Sequence, residues 1–313
     1  MKILYMGTSG FAVAALKALY TNFATTDSFT VITQPDKPQG RGYKEAFTPV
    51  KKFAIENEIP VFQPQSLKRD FFENTLTQID PDIIIVASYG KILPKYILDY
   101  PKYSCINIHA SLLPKYRGAA PINRCIMNGE EKSGISLMYM SEGLDQGDII
   151  EQREIIIEPH FDAGILHDML SNLGGEMIVS AINKIKNGET LSRKTQDHAL
   201  ATYAEKITND DRLINWSENA DNIINKIRGL SPITSAYTFI KAQNKMLKVH
   251  SAVKSDMKAG TEFGEVISDD KKIVIKCKDG SVQITSLQIE GAKKMSALDF
   301  LNGRKIKKGD ILQ

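Results

Sequence analysis

The 313-residue chain has little cysteine and no long apolar segment. Its cysteines, Cys105, Cys125 and Cys277, are odd in number and far apart, which argues against both a disulfide framework and a zinc site. No segment approaches the roughly 20 apolar residues that a membrane-spanning helix needs. The apolar run near the start is also too short for a signal peptide. These absences favour the reducing cytoplasm and no membrane partner.

Composition and length indicate an ordinary globular protein, with 42% hydrophobic and 25% charged residues and room for two domains. The net charge is only +3, but from Glu205 onward 19 Lys and Arg face 14 Asp and Glu. A basic C-terminal part on a near-neutral body suits a nucleic-acid partner. A lysine-rich surface exposed to solvent explains the same excess, so both interpretations stay open.

Strand and helix patterns alternate through the first part of the chain, which predicts a doubly wound, mostly parallel α/β sheet of Rossmann-like form. We expect strands at 2–6, 29–33, 83–87, 105–108, 135–140 and 149–157, and helices at 11–20, 49–58 and 162–186.

The pattern changes near residue 208, where short alternating strands with glycine turns predict a small β-barrel of the oligonucleotide-binding type. We predict a catalytic domain at 1–187, a linker at 188–207 and the barrel at 208–313. Trp216 is interpreted as a packing anchor of that barrel. Nothing in the sequence requires an assembly larger than a monomer.

Three polar residues follow predicted strands and could act together on a carbonyl group. Asn107 and His109 are two positions apart on one strand, so they project to one side, and Asp145 lies in the glycine-flanked loop Gly143–Asp148. Such a trio offers donors for a developing oxyanion and groups that manage a proton. From the residues alone, a histidine at a strand end is more often structural, and a glycine-flanked aspartate is more often a turn former.

Two segments resemble the signatures of the folate-dependent formyltransferase superfamily: 107–121, which begins Asn-Ile-His-Ala-Ser-Leu-Leu-Pro, and 143–148, Gly-Leu-Asp-Gln-Gly-Asp. The resemblance implies 10-formyltetrahydrofolate as the donor, no metal, and Asn107, His109 and Asp145 as the catalytic residues. It also implies a folate cleft, whose expected lining residues are Ser111, Leu112, Leu113, Pro114, Tyr89, Gly90 and Ile92.

Within that superfamily the chain is most similar to the members that formylate initiator methionyl-tRNA. The similarity rests on Gly7–Ala12, on the segment 34–42 and on the C-terminal part. By this resemblance the segment 34–42 contacts tRNA, with Lys37, Gly40, Arg41 and Gly42 as the expected contact residues. The residues alone also allow a mobile surface connection there, because Pro and Gly discourage regular structure.

Several other functions remain open from the sequence. The acceptor of the formyl group could be a nucleotide-linked amino sugar, a glycine-derived ribonucleotide or water, although the last two need no basic C-terminal barrel. A non-catalytic nucleotide- or RNA-binding module is a further alternative. A dehydrogenase is disfavoured because Gly7 and Gly10 do not complete the GxGxxG pattern.

Overall fold

The computed structural model describes residues 1–39, 44–303 and 306–313. It divides into two compact units. The first comprises Met1–Pro121, Ser133–Ile155 and His167–Ala204, and the second comprises Ile122–Lys132, Ile156–Leu166 and Glu205–Gln313. The domain boundaries expected from the sequence stay a prediction.

The first part of the chain alternates strands and helices. Its strands are β1 (Lys2–Gly7), β2 (Ser28–Ile32), β3 (Lys37–Gln39), β4 (Lys44–Ala46), β5 (Val61–Phe62), β6 (Ile83–Ala87), β7 (Cys105–His109), β8 (Arg117–Gly118), β9 (Lys132–Tyr139), β10 (Ile149–Ile156) and β11 (Tyr203–Ala204). Its helices are α1 (Gly10–Phe23), α2 (Pro49–Glu56), α3 (Arg69–Ile79), α4 (Lys95–Leu98), α5 (Pro121–Met127) and α6 (Ala163–Lys186).

In the described residues, seven strands form the main sheet, in the order β10-β9-β7-β6-β1-β2-β5. The neighbours from β5 to β7 pair in parallel, and β9 pairs antiparallel with β7. The chain runs outward from β1 to β5 and then returns to β6 on the other side of β1. The predicted doubly wound, mostly parallel sheet is therefore confirmed. Ligands of such sheets bind beyond the carboxyl ends of the strands.

The central strands of this sheet are buried on both faces, as their apolar composition requires. All five residues of β6 are buried, and β1 is buried from Ile3 to Met6. Helix α1 packs closely because Gly7 has no side chain: a Cβ there would lie 2.7 Å from the Cβ of Ala12. The close contact places the loop between β1 and α1 at the carboxyl edge of the sheet.

The second part of the chain is built on antiparallel strands. Its strands are β12 (Ala236–Ile240), β13 (Lys245–Ser255), β14 (Val266–Ser268), β15 (Ile273–Lys276), β16 (Ser281–Ile289) and β17 (Met295–Ser296). Its helices are α7 (Asn209–Arg212), α8 (Ala220–Leu230) and α9 (Ala297–Asn302). The strands follow the order β12-β13-β16-β15-β14, and β17 pairs with β16.

The last residues of the chain join the two edges of this sheet. The Phe239 N–H in β12 donates to the Gln313 carbonyl at 2.8 Å, and the Val266 N–H in β14 donates to the Asp310 carbonyl at 2.8 Å. The sheet thus closes on itself as a small barrel, which confirms the predicted fold class of this part. Trp216 is 3% exposed inside the barrel core, and its indole N–H donates to Thr238 Oγ1 at 3.1 Å.

Several elements were not expected from the sequence, and two of them are very short strands. Residues 117–118 form β8, and α5 begins at Pro121. The segment expected to be a linker contributes β11, which pairs in parallel with β8. These two strands were missed because a two-residue strand has too few residues to show a period in the sequence.

Candidate active site

Strand β7 carries two polar side chains at the carboxyl end of the sheet. Asn107 is 9% exposed and His109 is 6% exposed. Between them Ile108 points the other way and packs against α6, where a Cβ on Gly174 would lie 2.7 Å from its Cγ2. The alternation of a strand therefore places Asn107 and His109 on one side, as expected from their spacing.

Each ring nitrogen of His109 has a different neighbour. Nε2 lies 2.9 Å from the backbone oxygen of Tyr116. Because a carbonyl oxygen only accepts, Nε2 carries a hydrogen and donates to it. Nδ1 faces Asp145 Oδ2 at 3.7 Å, which is too long for a hydrogen bond. The first contact fixes the ring and leaves Nδ1 facing the Asp145 carboxylate.

The carboxylate of Asp145 faces both residues of β7. Its Oδ1 lies 3.5 Å from Asn107 Nδ2, and its Oδ2 accepts a hydrogen bond from the Gly118 N–H at 2.8 Å. The side chain is 14% exposed. The structure thus brings together Asn107, His109 and Asp145, which are separated in the sequence. Only the Gly118 contact has the length of a good hydrogen bond, so the carboxylate keeps capacity for a further partner.

The loop that carries Asp145 is tightly built. Asp145 has a φ of 51°, in the left-handed region that only Gly, Asn and Asp enter readily. Two residues later, a Cβ on Gly147 would lie 1.8 Å from the carbonyl oxygen of Tyr139, so only glycine fits. Both features restrict the backbone of this loop, and its observed course directs the carboxylate toward β7.

A rigid turn follows β7 at the residues expected to line the folate cleft. Ser136 Oγ donates to the Ser111 carbonyl at 2.6 Å and accepts from the Leu113 N–H at 3.0 Å. Gln152 Nε2 donates to the Leu113 carbonyl at 2.9 Å. Leu112 and Pro114 are partly exposed beside these contacts. The turn 111–114 is therefore held in place before any ligand binds.

The second segment expected in the folate cleft follows β6. Tyr89 is 2% exposed and packs in the core with Leu4 and Met6, and its burial raises the pKa of its hydroxyl to about 12. Gly90 adopts a positive φ of 82°, and Ile92 is 73% exposed. From this segment, Ile92 offers an apolar side chain to a ligand, whereas the Tyr89 ring serves the core. The folate-binding assignments stay predictions.

The chain resembles known proteins over its whole length. A formyl transferase family model matches residues 1–182, and a model of the formyl transferase C-terminal domain matches residues 206–305. The methionyl-tRNA formyltransferase of Caldanaerobacter subterraneus subsp. tengcongensis is 44% identical over 314 residues, covering 100% of both chains. The chain belongs to the methionyl-tRNA formyltransferase family. The resemblance stated from the signatures is thereby confirmed.

Two solved structures share the fold at lower sequence identity. An N-formyltransferase from Helicobacter canadensis, in complex with folinic acid and dTDP-3-aminofucose, has a TM-score of 0.65 at 21% identity and covers 94% of this chain and 100% of that chain. HypX from Aquifex aeolicus, in complex with tetrahydrofolic acid, has a TM-score of 0.63 at 16% identity and covers 99% of this chain but 50% of that chain. At these identities the likeness shows the fold alone.

The segment expected to contact tRNA in this family is described only in part. Lys37 begins β3, which pairs antiparallel with β4. Gly40, Arg41 and Gly42 lie outside the described residues. Just before β3, the Asp36 carboxylate accepts hydrogen bonds from Lys51 and from Gln63. The chain before β3 is thus anchored to α2 and to the segment after β5.

Sequence reasoning missed two buried residues beside Asp145. Arg117 is 1% exposed and Gln196 is 4% exposed. Arg117 could have been found from the sequence because it lies inside the first signature. Gln196 lies in a polar segment without a recognisable pattern. Asp148, at the end of the loop that carries Asp145, accepts a hydrogen bond from Thr195 Oγ1 at 3.0 Å.

Three further observations concern the residues that the structure describes. All three cysteines lie among them, are buried and form no disulfide. Across residues 1–39, 44–303 and 306–313, no group of three or more His, Cys, Asp or Glu side chains is placed to hold a metal ion. Over the same ranges, no helix has the length and apolar character that crossing a membrane demands.

Proposed function

We propose that this chain transfers the formyl group of 10-formyltetrahydrofolate to the free amino group of methionyl-tRNA, with preference for the initiator. The observation that carries the proposal is the convergence of Asn107, His109 and Asp145 beyond the carboxyl end of β7. It occurs in a chain 44% identical over its full length to a methionyl-tRNA formyltransferase. The cytoplasm, where tRNA is charged, is the compartment that this function requires.

The first step is attack of the uncharged amine on the formyl carbon. A bond forms between the amine nitrogen and this carbon, and the formyl oxygen gains negative charge. Asn107 Nδ2 is placed to donate to that oxygen, since its contact with Asp145 Oδ1 is 3.5 Å long and easily exchanged. Fixed donors directed at a developing oxyanion stabilise the transition state without reorganisation.

The second step needs a group that moves a proton. The attacking nitrogen must lose one proton, and N10 of the folate must gain one as its bond to the formyl carbon breaks. His109 Nδ1 and Asp145 Oδ2 face each other at 3.7 Å, so the amine nitrogen, or a water bound to it, can hydrogen-bond to this pair and pass its proton to one of the two atoms. The products are tetrahydrofolate and formylmethionyl-tRNA. The proton that N10 gains balances the proton that the amine loses.

The donor site rests on the rigid turn 111–114 and on the exposed side chain of Ile92. A pterin ring has flat apolar faces and polar edges, and ligand sites commonly pair apolar walls with a few fixed polar groups. The two solved relatives bind folate compounds, folinic acid and tetrahydrofolic acid. These features support a formylated folate as the donor. The monomeric state expected from the sequence remains a prediction.

Formyl transfer to purified, charged initiator methionyl-tRNA tests the proposal directly. Elongator methionyl-tRNA and a reaction without tRNA serve as controls. We expect transfer to the initiator, little to the elongator and no folate turnover without tRNA. Folate turnover without tRNA would contradict the proposal and favour a hydrolase. Transfer to a nucleotide-linked amino sugar would favour the acceptor class of the Helicobacter canadensis relative.

We assign selection of the initiator to the segment 34–42 and to the lysine-rich part of the chain from Glu205 onward. Lys37 and Arg41 supply cationic groups for phosphate contacts. Arg41→Ala should therefore reduce kcat/KM for initiator methionyl-tRNA by about 10-fold or more, because a charged contact contributes over 1 kcal/mol. The KM for the folate should stay near the wild-type value. An unchanged preference for the initiator would remove Arg41 from recognition.

A further inference from the structure

A single glutamine side chain holds the loop that carries Asp145. Gln196 Nε2 donates to the carbonyl oxygen of Asp145 at 2.9 Å and to that of Gly147 at 2.8 Å. Both hydrogens of the amide nitrogen are thus used on the same loop. The two contacts lie on either side of Gln146, so they fix the backbone that aims the carboxylate.

The amide of Gln196 can serve this role in only one of its two orientations. Its Oε1 accepts from Arg117 Nη2 at 2.7 Å and from Arg117 Nε at 3.2 Å. A guanidinium has donors and no acceptor, so it selects the orientation that turns the oxygen toward Arg117 and the nitrogen toward the loop. Arg117 Nη2 also contacts His198 Nδ1 at 3.2 Å, an acceptor that keeps the guanidinium in place.

The segment around Arg117 reaches both other parts of the site. The preceding residue, Tyr116, accepts from His109 Nε2, and the following residue, Gly118, donates to Asp145 Oδ2. Strand β11 holds the segment from the other side, because the Arg117 N–H donates to the Thr202 carbonyl at 2.9 Å. Residues 196–204 therefore support the carboxylate and the imidazole from one scaffold.

We propose that Gln196, oriented by Arg117, is a positioning residue for formyl transfer that sets the Asp145 carboxylate against His109. This inference rests on the proposed function. Gln196 touches no reacting atom and acts through the backbone of the loop, where Asp145 has a left-handed φ of 51° that the two hydrogen bonds help maintain. A displacement of about 1 Å in a catalytic group costs up to about 10²-fold in rate.

The test compares Gln196→Ala with Thr195→Val by steady-state kinetics. Thr195 is the exposed neighbour and donates to Asp148 instead of Asp145, so its replacement is the matched control. We expect Gln196→Ala to lower kcat by about 10²-fold with both KM values within about 3-fold of wild type. The control should keep kcat within about 2-fold. A wild-type kcat in Gln196→Ala, or a raised KM with unchanged kcat, would overturn the inference.

Gln196→Glu keeps the test decisive if the alanine variant does not fold. Its carboxylate still accepts from Arg117, so the buried guanidinium keeps a partner and the chain should fold. The donors to Asp145 and Gly147 are lost, and a carboxylate oxygen faces two carbonyl oxygens instead. We expect kcat to fall at least as far as in Gln196→Ala. Wild-type kcat in this variant would show that the two donors do not matter.

A double-mutant cycle separates positioning of Asp145 from general support of the fold. In an Asp145→Asn background, Gln196→Ala should lower the remaining kcat by less than about 3-fold, because the group it positions no longer acts. A full loss in that background would overturn the inference. The wild-type reaction is run in parallel. If the wild-type chain itself fails to formylate methionyl-tRNA, the proposed function is contradicted rather than the role of Gln196.

Discussion

Two partly buried carboxylates, one in each unit, have opposite surroundings. Asp145 in the first unit receives one short hydrogen bond, from Gly118 at 2.8 Å, and faces Asn107 and His109 at 3.5 and 3.7 Å. Asp211 in the second unit receives two from Arg124 at 2.6 and 2.9 Å. The Thr208 N–H and hydroxyl each add one more at 2.8 Å.

The difference separates a carboxylate that receives one short hydrogen bond from one that completes a helix end. Asp211 and Thr208 form a capping box at the start of α7, and the hydrogen bonds from Arg124 hold the pKa of Asp211 well below its usual range. Both oxygens of Asp211 are thus engaged. Asp145 is held mainly by the hydrogen bonds from Gln196 to the backbone of its loop, and its oxygens receive the one short hydrogen bond from Gly118.

Removing the charge of Asp145 should have the largest effect. Asp145→Asn keeps a side chain that tolerates the left-handed φ and still accepts from Gly118, but it loses the negative charge. We expect kcat for formyl transfer to fall by about 10³-fold, the scale of general acid–base catalysis. Thermal unfolding and folate binding should stay near wild type. Loss of folding, or a kcat within 10-fold of wild type, would favour a structural role.

Removing the amide of Asn107 should have the next largest effect. Asn107→Ala deletes the Nδ2 donor assigned to the formyl oxygen, which should lower kcat by about 10²-fold or more. The KM for the folate should change much less, because the donor acts mainly on the charge of the transition state. Initial rates over a range of folate concentrations measure both quantities. Near-normal turnover would remove Asn107 from the mechanism.

Asp211→Asn should change stability and leave catalysis intact. The substitution weakens the pairing with Arg124, and we expect the free energy of unfolding to fall by about 2 kcal/mol. Asp210→Asn is the matched control, since Asp210 lies in the same helical turn outside the Arg124 pair. The control should change the free energy by less than about 0.5 kcal/mol. A reduced kcat in folded Asp211→Asn would contradict the structural role that distinguishes Asp211 from Asp145.

The smallest effect concerns the pH dependence of stability. Because the folded-state pKa of Asp211 is lowered, its contribution is complete above the unfolded-state pKa of about 4 and is lost as pH falls below it. Urea unfolding of wild type and Asp211→Asn should thus differ at pH 7 and converge as the pH falls below about 4. A difference that grows at acid pH would contradict the assigned cause.

Much of the fold was predictable from residue patterns. The apolar run 83–87 coincides with β6, and the helix expected at 162–186 is α6 at Ala163–Lys186. Long elements are predictable because burial of one or both faces produces a repeating pattern of apolar residues in the sequence. The short strands β8 and β11 produce no such pattern. The joining of β12 to β14 by the last residues was also not predictable, since it depends on a contact between distant strands.

The sequence by itself determined the order of the longer strands, the family, and the identity of the three polar residues beyond β7. These follow from local periodicity and from two short signatures. Only the tertiary structure decided how Asp145 is held. Arg117 and Gln196 are 79 positions apart, and Gln196 and Asp145 are 51 apart. Hydrogen bonds over such separations exist only after the strands have paired, so they cannot be predicted from a pattern along the chain.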